Sequence, residues 1–142
     1  MKKRNILIII ILTLILTIVS ITTLQKKPDI ENIYLSSSKD SSFNELSQDN
    51  HDYFNSRDSN IYLIIDVKHL TTEDEIKVEW EKIEDNSNEI IQSNTVKPEQ
   101  KGSGKIIILL VKKNGIYSPG SYNVKVYLNR DNKISEKFYI LR

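Results

Sequence analysis

Three groups of residues in this chain have types that carry chemistry, and none has the spacing the chemistry requires. Gly102-Ser-Gly-Lys105 ends like a phosphate-binding loop, in which backbone N–H groups and a lysine cradle a phosphate chain. That motif needs glycine where Glu99 stands and serine or threonine where Ile106 stands, so the tetrapeptide reads as a flexible turn. Acidic residues crowd the stretch from Glu73 to Asp85. Paired carboxylates hydrolyse glycosides only when they face each other across a cleft, and these read instead as the solvated side of one strand and its rim. His69 follows Asp66 by three positions, an arrangement of base and orienting carboxylate with no nucleophile elbow near it. With no cysteine and two histidines in 142 residues, thiol chemistry and thiolate metal sites are excluded, and a histidine-based metal centre would need both imidazoles. The reading is a protein that is not an enzyme, with no catalytic residues, no metal and no cofactor.

The elements that would position any site are strands. Tyr122, Val124, Val126 and Leu128 alternate with Asn123, Lys125 and Tyr127, the period-two pattern of a strand half buried against a core. Pro119-Gly120 marks the turn before it. Ile61 to Val67 is a β-branched run expected to bury Ile61, Leu63, Ile65 and Val67 and to turn Tyr62, Ile64 and Asp66 outward. Over residues 75–83, Ile76, Val78 and Trp80 alternate with Lys77, Glu79 and Glu81. A helix there would scatter those apolar residues around its circumference. Ile90-Ile91 suits a short edge strand, Ile106 to Val111 a covered strand, and Ile134 to Ile140 the last strand. A possible first strand lies at residues 30–35, inside a polar stretch of stalk composition over residues 25–59. The sandwich itself is placed at residues 60–142, with Trp80, Tyr122, Val124 and Phe138 in its core.

Parity constrains the last hairpin. The even-numbered apolar residues of both strands must share a face, so directly paired residues must have an even sum. A two-residue turn at Asp131-Asn132 breaks that rule. A three-residue loop, Arg130-Asp-Asn132, satisfies it and sets Leu128 against Ile134 and Lys125 against Lys137; a shift to Asp131-Asn-Lys133 satisfies it as well.

Trp80 in a central strand and a tyrosine opening the penultimate strand resemble the core tryptophan and the tyrosine corner of immunoglobulin-like domains. Val78-Glu-Trp80, Pro119-Gly-Ser-Tyr-Asn-Val-Lys-Val-Tyr127 and Phe138-Tyr-Ile140 are similar to small bacterial surface modules with immunoglobulin-like or fibronectin type III-like folds. The resemblance implies an all-β, two-sheet antiparallel sandwich, with Leu63 or Ile65 and Val124 or Val126 filling the place of the missing cysteine pair.

Residues 6–24 form an apolar run interrupted only by Thr and Ser. Nineteen residues rising about 1.5 Å each match the thickness of a bilayer core, so the run reads as one transmembrane helix, or as a signal segment if it is cut. Lys2, Lys3 and Arg4 within residues 1–5 outnumber Lys26 and Lys27 and set the N-terminus in the cytoplasm. The chain is then a single-pass protein of the cell membrane with its C-terminal domain outside. A formal charge of +1 gives no ground for a nucleic-acid partner. The expected partners are the membrane, through the helix, and a protein or wall polysaccharide met by Tyr127, Tyr139, Lys125 and Lys137 on one sheet face. The functional expectation is a non-catalytic binding module at the cell surface, or else a passive spacer of an envelope assembly or a secreted protein.

Overall fold

The computed structural model describes residues 26–37, 51–58, 60–85 and 87–142. The apolar run at 6–24 lies outside the described residues, among which no helix is long and apolar enough to cross a membrane. Eight strands follow in order: β1 (Asp29–Ser36), β2 (Tyr53–Asn55), β3 (Ile61–Leu70), β4 (Ile76–Ile83), β5 (Asn88–Val96), β6 (Gly102–Leu110), β7 (Gly120–Leu128) and β8 (Asp131–Leu141). They form a three-stranded sheet, β1-β3-β6, and a five-stranded sheet, β2-β8-β7-β4-β5. The fold is all-β, and the two sheets enclose one core.

The core forms because alternate side chains of each strand point inward. Ile33 and Leu35 from β1, Leu63 and Ile65 from β3, and Ile108 and Leu110 from β6 meet Ile76, Val78, Trp80, Val124, Val126, Phe138 and Ile140 from the other sheet. Phe138 is the aromatic hub. Its ring is stacked with Tyr122 at 5.3 Å and takes Trp80 and Phe54 edge-on at 5.9 and 5.7 Å. Trp80 is fully buried, and its Nε1–H has no protein acceptor among the described residues.

The sequence expectations need correcting at five places. The sandwich is not wholly antiparallel, because β2 runs parallel to β8, with Tyr53 opposite Tyr139. Ile64 does not face water: it is 3 % exposed, flanked across the outer face by Tyr34 and Ile107. The glycine-rich stretch 102–105 is no turn but the start of β6, paired with Asp66 to Leu70 of β3. Chain alternation is invisible there because glycine has no side chain to alternate. β5 is nine residues long rather than a two-residue edge; its polar side chains hide it from any hydrophobic pattern.

The fifth correction concerns the last hairpin. Val126 faces Ile134, Val124 faces Glu136 and Tyr122 faces Phe138, so the required even sum holds along the core. The turn itself is Asn129-Arg130, both residues having positive φ, 52° and 75°, as a type I′ turn demands. A bulge beside Val126 and Tyr127 absorbs the odd residue. Lys125 therefore sits opposite Ser135, and Lys137 opposite Asn123, which removes the like-charge pair that the three-residue loop would have created.

Asn129 does more than turn the chain. Its side-chain oxygen accepts from the Glu75 backbone N–H at 2.9 Å, and its amide donates to Asp74 Oδ1 at 2.7 Å. Asp74 is buried and its other oxygen accepts from the Thr71 N–H and hydroxyl. Burial raises the Asp74 pKa, but the bonds from Asn129 and Thr71 outweigh it and leave the carboxyl below its ordinary value.

Candidate functional site

The four residues expected to form a binding face lie in one row on the outer side of the five-stranded sheet, with Lys137 opposite Asn123 and so diagonal to Lys125, and with the two tyrosines at opposite ends of the row. Tyr139 is opposite Ser121, and Tyr127 stands six residues further along β7, roughly 20 Å away at the rise of a strand. Lys125 and Tyr127 are engaged by neighbouring acids. Lys125 Nζ meets Glu81 Oε1 at 2.6 Å, and the Tyr127 hydroxyl donates to Glu79 Oε2 at 3.0 Å. Lys77 closes on the other oxygen of Glu79. That hydrogen bond from Lys77, helped by Tyr127, holds the Glu79 carboxyl below its usual range against the opposing effect of burial. Burial and the bond to Glu79 push the Tyr127 phenol up, and Glu81 pushes the Lys125 ammonium up. The outer face is a closed charge lattice, and Tyr139 is stacked on Tyr53 at its far end.

A concave feature lies elsewhere among the described residues, beside the loop joining β6 to β7. Lys113 to Ile116 is a tight turn, with the Ile116 N–H donating to the Lys113 carbonyl and Asn114 and Gly115 at φ 55° and 80°. The chain then dives inward, so that Tyr117 is 3 % exposed. Its hydroxyl accepts from Ile61 N and donates to the Leu110 carbonyl, each at 3.0 Å. Five residues on, the Tyr122 hydroxyl donates to the Ser118 carbonyl at 2.5 Å. The two rings flank a cleft of about 120 Å³ whose floor is Leu110, Ile91 and Ile140 and whose rim carries Lys82, Lys113 and Glu89. Lys82 reaches it along Gly120, where a Cβ would stand 3.4 Å from its Cε.

Both tyrosine hydroxyls are spent on the backbone, so their rings offer apolar walls rather than donors. Burial raises both phenol pKa values, which keeps them protonated at neutral pH. Lys112 lies over the outer side of the Tyr117 ring, 5.2 Å from its centroid. Lys82 has a long contact with Glu84, 3.6 Å, whereas Lys113 meets no carboxylate among the described residues. Neither histidine lines the cleft, and the described residues hold no cluster of three metal-ligating side chains. In the sequence, Asn114-Gly115 signals a turn and Tyr117 stands near it, but nothing there shows that Ile61, Leu110 and Lys82 meet it in space.

No family model matches the chain, and no curated protein does either. Among solved structures it is similar to the Pseudomonas fluorescens alkylpurine DNA glycosylase AlkC bound to DNA containing an abasic site analog, at 10% identity and a TM-score of 0.43. The match covers 81% of this chain and 30% of that one. That structure is a DNA-bound enzyme and not a surface module. The expectation of a non-catalytic cell-surface module, with a partner set without nucleic acid, finds no support in this comparison and is not carried forward. At this degree of overlap the likeness says nothing of what the present chain binds.

Proposed function

We propose that this protein binds a small carboxylate-bearing apolar group in the cleft between Tyr117 and Tyr122. One observation carries the reading: an apolar floor between two rings whose hydroxyls are already satisfied, under a rim where Lys113 has no carboxylate partner among the described residues. A cavity of roughly 150 Å³ holds benzene, so a cleft of about 120 Å³ takes an aliphatic or small aromatic end of about that size. Its charged end then meets the ammonium groups of Lys82 and Lys113, which outnumber Glu89.

Two further readings belong with it. The strand orders β1-β3-β6 and β2-β8-β7-β4-β5, the Tyr122 bond to the backbone four residues upstream, and fully buried Leu63, Ile65, Val124 and Val126 support an immunoglobulin-like sandwich built without its disulfide. The length of the 6–24 run and its flanking lysines and arginine support a single membrane anchor that sets the sandwich outside. Protease added to intact cells would digest the sandwich in that orientation and spare it in the reverse one.

The ligand reading is tested by titrating the full chain, in detergent micelles, with phenylacetate and with uncharged phenylacetamide while following the tyrosine ring signals. Saturable shifts at Tyr117 and Tyr122 with the acid, weaker with the amide, and reduced by Lys113→Gln are expected. No saturation with either probe would remove the proposal.

A further inference from the structure

Residues 106–111 read Ile-Ile-Ile-Leu-Leu-Val, and all but the last lie in β6, an edge strand of the three-stranded sheet among the described residues. A six-residue run of high β-propensity, without charge or proline, is the signature of a segment that pairs with copies of itself. On an edge it presents a row of unpaired backbone donors and acceptors to any other strand. The first half of β6 is blunted by glycines 102 and 104 and by Lys105, which is held on Asp66 at 2.7 Å. The apolar half has no such residue of its own.

Gln92 covers it from the other sheet. It pairs with fully buried Trp80 across β4 and β5, so its side chain shares the inward direction of Trp80 and reaches the backbone of β6 and Val111. Its amide then behaves as a substitute strand. Nε2 donates to the Leu109 carbonyl at 2.8 Å, and Oε1 accepts from the Val111 N–H at 2.8 Å. Asn94 Oδ1 takes the second amide hydrogen at 2.7 Å and fixes the group's orientation. A donor and an acceptor that a neighbouring strand would satisfy are both occupied.

We propose that β6 is a latent edge for pairing with β6 of a second copy of this chain, and that the Gln92 amide is the clasp that keeps it closed. The inference does not rest on the proposed ligand, although Leu110 and Val111 line the cleft as well. The occupant follows from the run itself, because identical apolar side chains stacked across an edge pack against one another.

The test compares the full chain with Gln92→Leu in detergent micelles, using sedimentation over a dilution series and amide hydrogen exchange. The wild type is expected to stay dispersed with the Val111 amide protected. Gln92→Leu is expected to exchange that amide about tenfold faster and to associate at concentrations where the wild type does not. Adding Leu109→Lys should reverse the association without restoring protection. A dispersed Gln92→Leu protein, unchanged exchange at Val111, or association that the lysine leaves intact would each overturn the proposal. If Gln92→Leu does not fold, Gln92→Asn withdraws the amide by one methylene and is read by the same three outcomes.

Discussion

The hydroxyl of Tyr117 stands between β3 and β6, accepting from the backbone N–H of Ile61, 56 residues earlier in the chain. It donates onward to the Leu110 carbonyl, and Ile61 and Leu110 are themselves paired. One phenol thus completes the ladder at the end of the three-stranded sheet and also walls the cleft.

Tyr117→Phe keeps the ring and deletes the bridge. Two buried backbone groups lose their partner, and each orphaned group costs about 1 to 3 kcal/mol. Thermal unfolding of the variant should fall accordingly, while Tyr122→Phe, whose hydroxyl serves a single carbonyl, should cost less. Equal losses would show that Tyr117 matters only as a ring.

Trp80→Ala removes the largest fully buried side chain and should cost about 3 to 5 kcal/mol in chemical denaturation, which is a large share of the stability of a domain this size. Trp80→Phe should be much milder, because it also removes the Nε1–H that has no protein acceptor. A penalty for Phe as large as that for Ala would mean the indole nitrogen is satisfied after all.

Arg130 is a non-glycine residue held at φ 75°, where a side chain costs roughly 1 kcal/mol. Arg130→Gly gives the turn Asn-Gly, the preferred pair for this geometry, and should raise the denaturation midpoint by a comparable amount. An unchanged or lower midpoint would count against the turn as described.

Alternation on both strands made the face shared by Tyr122, Val124, Val126, Phe138 and Ile140 legible from the chain alone. Parity carried further and required an even pairing sum, which the core of the hairpin has. The turn was not legible, because a bulge can absorb a residue anywhere along a strand and leaves no mark in composition. β5 was hidden for a different reason: Gln92 and Asn94 point inward, so its buried side carries amides where a hydrophobic pattern looks for aliphatics. The cleft was beyond reading altogether. Lys82, Leu110, Tyr117 and Ile140 meet there only after the two sheets have closed.

The Asp74 carboxyl lies below its ordinary value in the folded protein, so the folded state binds its proton more weakly than the unfolded chain does. Its contribution is therefore present above the unfolded pKa, near 3.8, and is lost as pH falls through the folded value. Asp74→Asn should be less stable than the wild type at pH 6, and the gap should close as the medium is acidified below pH of about 4. Urea midpoints at successive pH values read this directly. A gap that stayed constant would assign the Asn129 and Thr71 contacts to shape rather than charge.

The direction of β2 has a mechanical consequence. β2 and β8 run side by side in the same sense, one toward the start of the chain's sandwich and the other at its very end. Tension applied between the start of β2 and the end of β8 pulls them in opposite directions along their common axis, so their bonds are stretched together rather than peeled one after another. The same pull on a hairpin such as β7 and β8 would open it from the end like a zip. Three residues of parallel pairing thus put the β2–β8 contact in shear, where an antiparallel pair would peel.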